Sequence, residues 1–194
     1  MLADAIAPFQ QPGDLARICR PIDWFGLNHY SPLYVQATDG NPLGAGFGPM
    51  PPGIPRTAND WPIQPAAFRD TLLDVHRRYR LPIYVTENGT ANHDAVGQNG
   101  EVADAPRIDF LKAYTAAMFA AIKAGADMRG YFVWSLLDNF EWGSGYSQRF
   151  GITYVDYPTQ RRIPKTSFNW YAGLIKASGR PARSEPRAAR ASSP

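Results

Sequence analysis

The chain has 194 residues, with 44% hydrophobic and 19% charged residues, which is enough apolar material for one domain with a substantial core. Twenty basic against 17 acidic residues leave a formal charge of +3, too little to argue for a nucleic-acid partner. One cysteine, Cys19, excludes an internal disulfide and a cysteine-cluster metal site, and is expected to pack on a helix or at a strand entry.

No apolar run reaches the ~18 residues that a membrane span needs, so no membrane partner is expected. The first residues, Met1 to Phe9, lack the basic start and long apolar centre of a signal peptide. No export signal is visible, and a cytoplasmic location is the default expectation.

In chain order, residues 22–28 form an apolar run that closes on a polar residue, Asn28. Such a run suits a parallel strand covered on both faces. Residues 38–61 are rich in Gly and Pro, have no period, and read as one long loop. Long loops in compact domains are commonly functional or disordered. Residues 66–79 place Phe68, Leu72, Val75 and Tyr79 at helical spacing, with Arg69, Asp70, Arg77 and Arg78 mostly outside. A second apolar run, 81–87, ends in the carboxylate of Glu87. Residues 107–124 form a helix with Ile108, Leu111, Met118 and Ile122 on one stripe and Gly125 as its stop. Residues 130–135 are the third strand, and 166–177 the last helix. The region beyond, 178–194, mixes Arg180, Arg183, Arg187 and Arg190 with Ala, Ser and Pro. That is the composition of a solvated, disordered basic tail, favoured over the sharper reading of a nucleic-acid arm.

Alternating strands and helices imply an α/β fold with a parallel sheet, occupying residues 1–177. Chemistry in such folds sits at the carboxyl ends of strands, where Asn28, Glu87 and Trp134 fall. Glu87 is the strongest candidate, because Asn88-Gly89 follows it and a glycine there lets the chain turn sharply away. A plain strand-to-turn boundary would look the same. The aromatic content, 13%, suits either a sugar-binding pocket or a large core.

Four segments carry a family resemblance. Pro82-Ile83-Tyr84-Val85-Thr86-Glu87-Asn88-Gly89 resembles the nucleophile motif of glycoside hydrolase family 1, the retaining β-glucosidase family. Trp134-Ser135-Leu136-Leu137-Asp138-Asn139-Phe140-Glu141-Trp142 resembles its sugar-recognition motif. Residues 22–30, ending in Asn28-His29-Tyr30, are similar to the strand bearing the tyrosine that supports the nucleophile. Residues 149–157, from Arg149-Phe150 to Asp156-Tyr157, are similar to the hairpin that follows. The resemblance runs from about Pro21 to Lys176.

This resemblance implies the last three β/α units, similar to strands six to eight, of a (β/α)8 TIM barrel that is incomplete in this chain. It implies Glu87 as the catalytic nucleophile, with Tyr30 hydrogen-bonded to it, favouring its charged form and its aim. Asn28 would arrange polar groups at the reacting sugar, and Trp134 would form an aromatic floor. Glu141 would accept from the 4- and 6-hydroxyls, Trp142 would donate to the 3-hydroxyl, and Phe150 would pack at the wall. The substrate implied is a β-glucoside or short β-linked oligosaccharide, with no metal and no cofactor. The family's phosphoglycosidase branch typically departs from Glu at the position of Glu141, where a carboxylate would repel a sugar 6-phosphate.

The chain departs from the pattern in two places: His29 stands where a second aromatic is common, and Thr90 where a small apolar residue is usual. His29 is expected to point away from its neighbours and pack, and the three histidines lack metal-ligand spacing. No Asn-Glu-Pro acid/base motif occurs, nor do the Gln, His and Arg that complete the family's pocket. The chain alone is therefore expected to turn over little or nothing, and the missing N-terminal half of the barrel is an expected partner. A non-catalytic sugar-binding or complementing module is the alternative.

Overall fold

The computed structural model describes residues 7–179. Most of the expected tail, from residue 180 on, and the start of the chain, residues 1–6, lie outside these.

Three strands, β1 (Phe25–Asn28), β4 (Ile83–Asn88) and β5 (Met128–Val133), form a parallel sheet in the order β1-β4-β5. Two antiparallel hairpins flank it. One pairs β2 (Val35–Ala37) with β3 (Ala45–Phe47), and the other pairs β6 (Thr153–Asp156) with β7 (Arg161–Pro164). The helices are a short α1 (Asp14–Ile18), α2 (Pro65–Tyr79), α3 (Ala105–Lys123) and α4 (Thr166–Ala177). Proline opens both α2 and α3, where its missing N–H costs nothing. Past Lys123, Gly125 at φ 103° reverses the chain, and Ala126 N–H returns to the Ala121 carbonyl at 3.0 Å, as expected of a glycine stop.

The core lies between one face of the sheet and helices α2 and α3. Phe68, Leu72 and Val75 of α2 meet Ile83 and Val85 of β4 and Phe110, Leu111 and Tyr114 of α3. Phe110 and Tyr114 stack with centroids 4.1 Å apart.

The sheet is not fully covered on both faces: Trp24, just ahead of β1, is 49% exposed and Phe132 of β5 is 57% exposed. The first strand begins at Phe25, three residues later than its apolar run. The loop of 38–61 contains β3, paired with β2 just ahead of it; these strands are short and largely exposed, so no hydrophobic alternation marks them. The buried stripe of α3 runs through Phe110, Leu111, Tyr114 and Ala121, while Ile122 is 40% exposed. Tyr79 at the end of α2 is half exposed and stacks on Phe25. Cys19 is exposed at the end of α1 rather than packed into the core.

Candidate active site

The carboxyl ends of β1, β4 and β5 lie side by side, with Asn28 opposite Glu87 and Asn88 opposite Val133. Register shifts fall between Leu27 and Asn28 and between Val85 and Asn88, just where side chains must be re-aimed. Asn88 ties the three ends together. Its amide donates to the His29 carbonyl at 2.6 Å, its side-chain oxygen accepts from Tyr131 Oη at 2.5 Å, and its carbonyl accepts from Trp134 N–H at 2.9 Å. His29 N–H donates to the Glu87 carbonyl at 3.0 Å, while its ring packs on Phe68, centroids 5.0 Å apart, as its expected direction required.

Tyr30 Oη donates to Glu87 Oε2 at 2.7 Å. Its ring is set by edge contacts with Trp61, 5.3 Å, and Phe150, 6.1 Å, and its carbonyl accepts from Tyr114 Oη at 3.2 Å. A core residue of α3 thus supports the site tyrosine. Burial, then the hydrogen bond to Glu87, then the charges of Glu87 and Glu141 push the Tyr30 phenol far up, so it stays a donor across the neutral range. Asn28 is exposed and its Oδ1 accepts from Thr86 Oγ1 at 2.6 Å.

Beyond β5 the chain bends into the loop bearing Trp134, Glu141 and Trp142. Trp134 Nε1 donates to Glu141 Oε1 at 3.1 Å. A 3₁₀ turn over Trp142–Ser144 follows, with Glu141 N–H bonded to the Gly145 carbonyl at 2.7 Å. Trp142 takes a positive φ of 47° and presents its indole outward, 84% exposed. Phe150 is buried at the wall.

Asn28, Tyr30, Glu87, Trp134, Glu141, Trp142 and Phe150 all line one cavity of about 330 Å³. The structure adds an eighth lining residue, Trp61, at the end of the Gly- and Pro-rich loop. Its one signal was an aromatic next to Pro62 just ahead of α2. Gly89 serves differently from expectation. Its φ is not positive; instead an added Cβ would lie 1.9 Å from the Trp134 carbonyl oxygen. The glycine permits close backbone approach between two strand ends rather than a sharp turn.

The cavity combines two carboxylates, one braced by a phenol and one by an indole, with aromatic walls. Carboxylates accept hydroxyl hydrogen bonds and aromatic faces cover C–H groups, so a carbohydrate fits this chemistry. Among the described residues no group of three His, Cys, Asp or Glu could hold a metal ion, and no helix is long and apolar enough to cross a membrane.

Residues 2–180 match the family described as Glycosyl hydrolase family 1. Beta-glucosidase A of Thermotoga maritima is 44% identical over 173 residues, covering 89% of this chain and 38% of that relative. A bifunctional beta-D-glucosidase/beta-D-fucosidase of Bifidobacterium breve is 44% identical over 179 residues, covering 84% and 39%. The solved family 1 β-glucosidase from Thermotoga maritima superposes with a TM-score of 0.82 at 42% identity, over 94% of this chain and 42% of that one. The chain spans about two fifths of the length of the relatives it matches.

Proposed function

The chain belongs to glycosyl hydrolase family 1, as part of that family's TIM-barrel fold, and from this premise we propose that it carries the nucleophile and sugar-recognition side of a retaining β-glucosidase. The observation that carries the reading is the convergence of Glu87, Tyr30, Glu141 and Trp142 on one cavity at the strand ends.

In the proposed reaction a Glu87 oxygen attacks the anomeric carbon of a terminal β-glucosyl residue. The bond to the leaving oxygen breaks, that oxygen takes a proton from a general acid, and water later hydrolyses the glycosyl ester. Tyr30 aims the nucleophile. Asn28 arranges the polar contacts near the reacting centre, and Trp134 with Phe150 forms the walls. Glu141 accepts from the 4- and 6-hydroxyls and Trp142 donates to the 3-hydroxyl. The carboxylate of Glu141 disfavours a 6-phosphate through like-charge repulsion.

A retaining mechanism places two carboxyl groups about 5–5.5 Å apart across the scissile bond. Glu141 is assigned to hydroxyl recognition, so the acid/base group comes from elsewhere in the barrel. The partner that fits is the set of strands preceding these three, in the same polypeptide or another. The open edges of β1 and β5 and the exposed Trp24 and Phe132 favour this complementing role.

The test joins this chain to the N-terminal strands of the Thermotoga maritima relative and follows nitrophenol release from a nitrophenyl β-glucoside. Release is expected from the joined protein, none from the 194-residue chain, and none from the joined Glu87→Gln variant. Substantial activity in that variant would refute the nucleophile assignment.

A further inference from the structure

Outside the cavity, three acids and three bases form a buried network: Asp94, Asp104 and Asp138 with Arg107, Arg149 and Lys165. All of these side chains are at most 2% exposed except Arg149 at 15%. The charges balance, three against three. Drying so many ions is costly, and well-packed apolar residues commonly stabilise a core as much. What ion pairs add is direction, since they hold their partners at one place where apolar surfaces can slide.

The connections follow the site. Lys165 Nζ bridges Asp94 Oδ2 at 2.6 Å and Asp138 Oδ1 at 2.8 Å. Asp94 lies on the segment that continues from Glu87, and Asp138 lies within the loop between Trp134 and Glu141. Asp138 also accepts from Gly151 N–H at 3.0 Å and from Arg149 Nη1 at 2.5 Å, which fixes the loop against the segment bearing Phe150. The fit is close: a Cβ on Gly151 would fall 2.2 Å from the Asp138 nitrogen. Arg107 donates to Asp94 at 2.7 Å and to the Arg149 carbonyl at 2.7 Å, and also pairs with Asp104. Asp104 in turn makes no cap bond to its own helix and receives Thr166 and Ser167 at the start of α4.

We propose that Lys165 and Asp138 are positioning residues that hold the sugar-recognition loop in register with the nucleophile strand. The inference rests on the reading of the cavity given above. Lys165 is its clearest probe. Without Lys165, Asp94 keeps Arg107 and Asp138 keeps Arg149, so neither carboxylate is left without a cation. Burial and then the Arg107 charge pull the Lys165 pKa down, while Asp138 and Asp94 raise it, so the buried ammonium depends on these two carboxylates. Losing it cuts the direct bridge between Asp94 and Asp138, leaves only the longer path through Arg107 and Arg149, and spares the β4–α3 core.

The test is Lys165→Met in the 194-residue chain, read in two ways. Hydrogen exchange is expected to rise roughly tenfold over residues 134–142 while residues 83–88 and 105–123 keep their protection. Tryptophan fluorescence titrations with methyl β-glucoside and methyl β-xyloside give the second reading. The xyloside lacks only the hydroxymethyl group that Glu141 is proposed to bind, a difference worth roughly tenfold in affinity. That preference is expected to fall towards parity in Lys165→Met. Simple loss of folded protein would weaken both sugars alike and leave the ratio unchanged. Unchanged exchange over 134–142, a uniform rise across the chain, or an unchanged sugar ratio overturns the proposal. Glu141→Ala separates the two layers: if it leaves the preference intact, the sugar role of Glu141 fails, and the exchange reading alone decides the anchoring. Should Lys165→Met not fold, Asp94→Asn keeps the side-chain shape and leaves Lys165 on Asp138, with the same expected signature.

Discussion

Replacing Gly89 by alanine puts one methyl group where two strand ends already touch. The added Cβ would meet the Trp134 carbonyl oxygen at 1.9 Å, its carbon at 3.0 Å and its Cα at 3.5 Å. All three are backbone atoms, so no side chain can rotate aside. Reaching even 3.0 Å demands a separation of 1.1 Å (3.0 less 1.9) between the end of β4 and the residue after β5. The hydrogen bond from Trp134 N–H to the Asn88 carbonyl, 2.9 Å, spans that gap and would stretch or break. Losing it costs about 0.5–1.5 kcal/mol, and overpacking adds about 1–3 kcal/mol. A total of roughly 2–4 kcal/mol lowers the melting temperature of a chain this size by about 5–15 °C. Gly173→Ala is the control, since it sits in α4 with nothing within 4 Å of the new Cβ and should gain about 0.5–1 kcal/mol from helix propensity. Thermal unfolding followed by circular dichroism compares the two. A Gly89→Ala chain melting with its parent would refute the close-approach reasoning.

Tyr30→Phe keeps the ring contacts with Trp61 and Phe150 and removes only the hydrogen bond to Glu87, so folding should be nearly unchanged. Glycosylation of Glu87 should slow by roughly ten- to hundredfold, the worth of one hydrogen bond to a charged group, as read by the rate of covalent labelling. Burial holds the His29 imidazole below its usual 6.5, which disfavours the charged ring in the folded chain. That contribution is complete above pH 6.5 and fades as pH falls through the lowered value, so His29→Phe should flatten the loss of melting temperature on acidification. At the other extreme, burial raises the phenols of Tyr30, Tyr114, Tyr131, Tyr157 and Tyr171 above 10. Stability from these groups is complete below pH 10 and is lost as pH rises further, and phenolate absorbance should appear together with unfolding.

The parallel strands and their chemistry were legible because apolar runs ending in Asn28 and Glu87 mark strands whose last residue faces outward at the mouth of the sheet. Helix α2 was equally plain, with Phe68, Leu72 and Val75 on one stripe and arginines opposite. Helix α3 was legible as a helix but not in its rotation, since Ala, Phe, Met and Ile surround much of it and leave no clear polar face. The β2–β3 hairpin escaped because its strands are three residues long and largely exposed. Trp61 reaches the cavity only through packing against Tyr30 and Phe150, contacts far apart in sequence. The ion network was hidden for the same reason: Lys165 and Asp94 meet across 71 residues, and neither differs from a surface charge until the chain folds. Covered strands were expected from the apolar runs, yet those runs record the faces a whole barrel would cover.

The most direct test of Glu87 as the nucleophile is covalent labelling of the 194-residue chain with a dinitrophenyl 2-deoxy-2-fluoro-β-glucoside. The dinitrophenolate leaves without a proton, so the missing acid is not needed, and the fluorine slows hydrolysis of the ester once formed. Mass spectrometry of the digested chain is expected to find one fluoroglucosyl group on the peptide containing Glu87, and none in Glu87→Gln. Label on Glu141 instead, or a folded chain that takes up no label, would contradict the account.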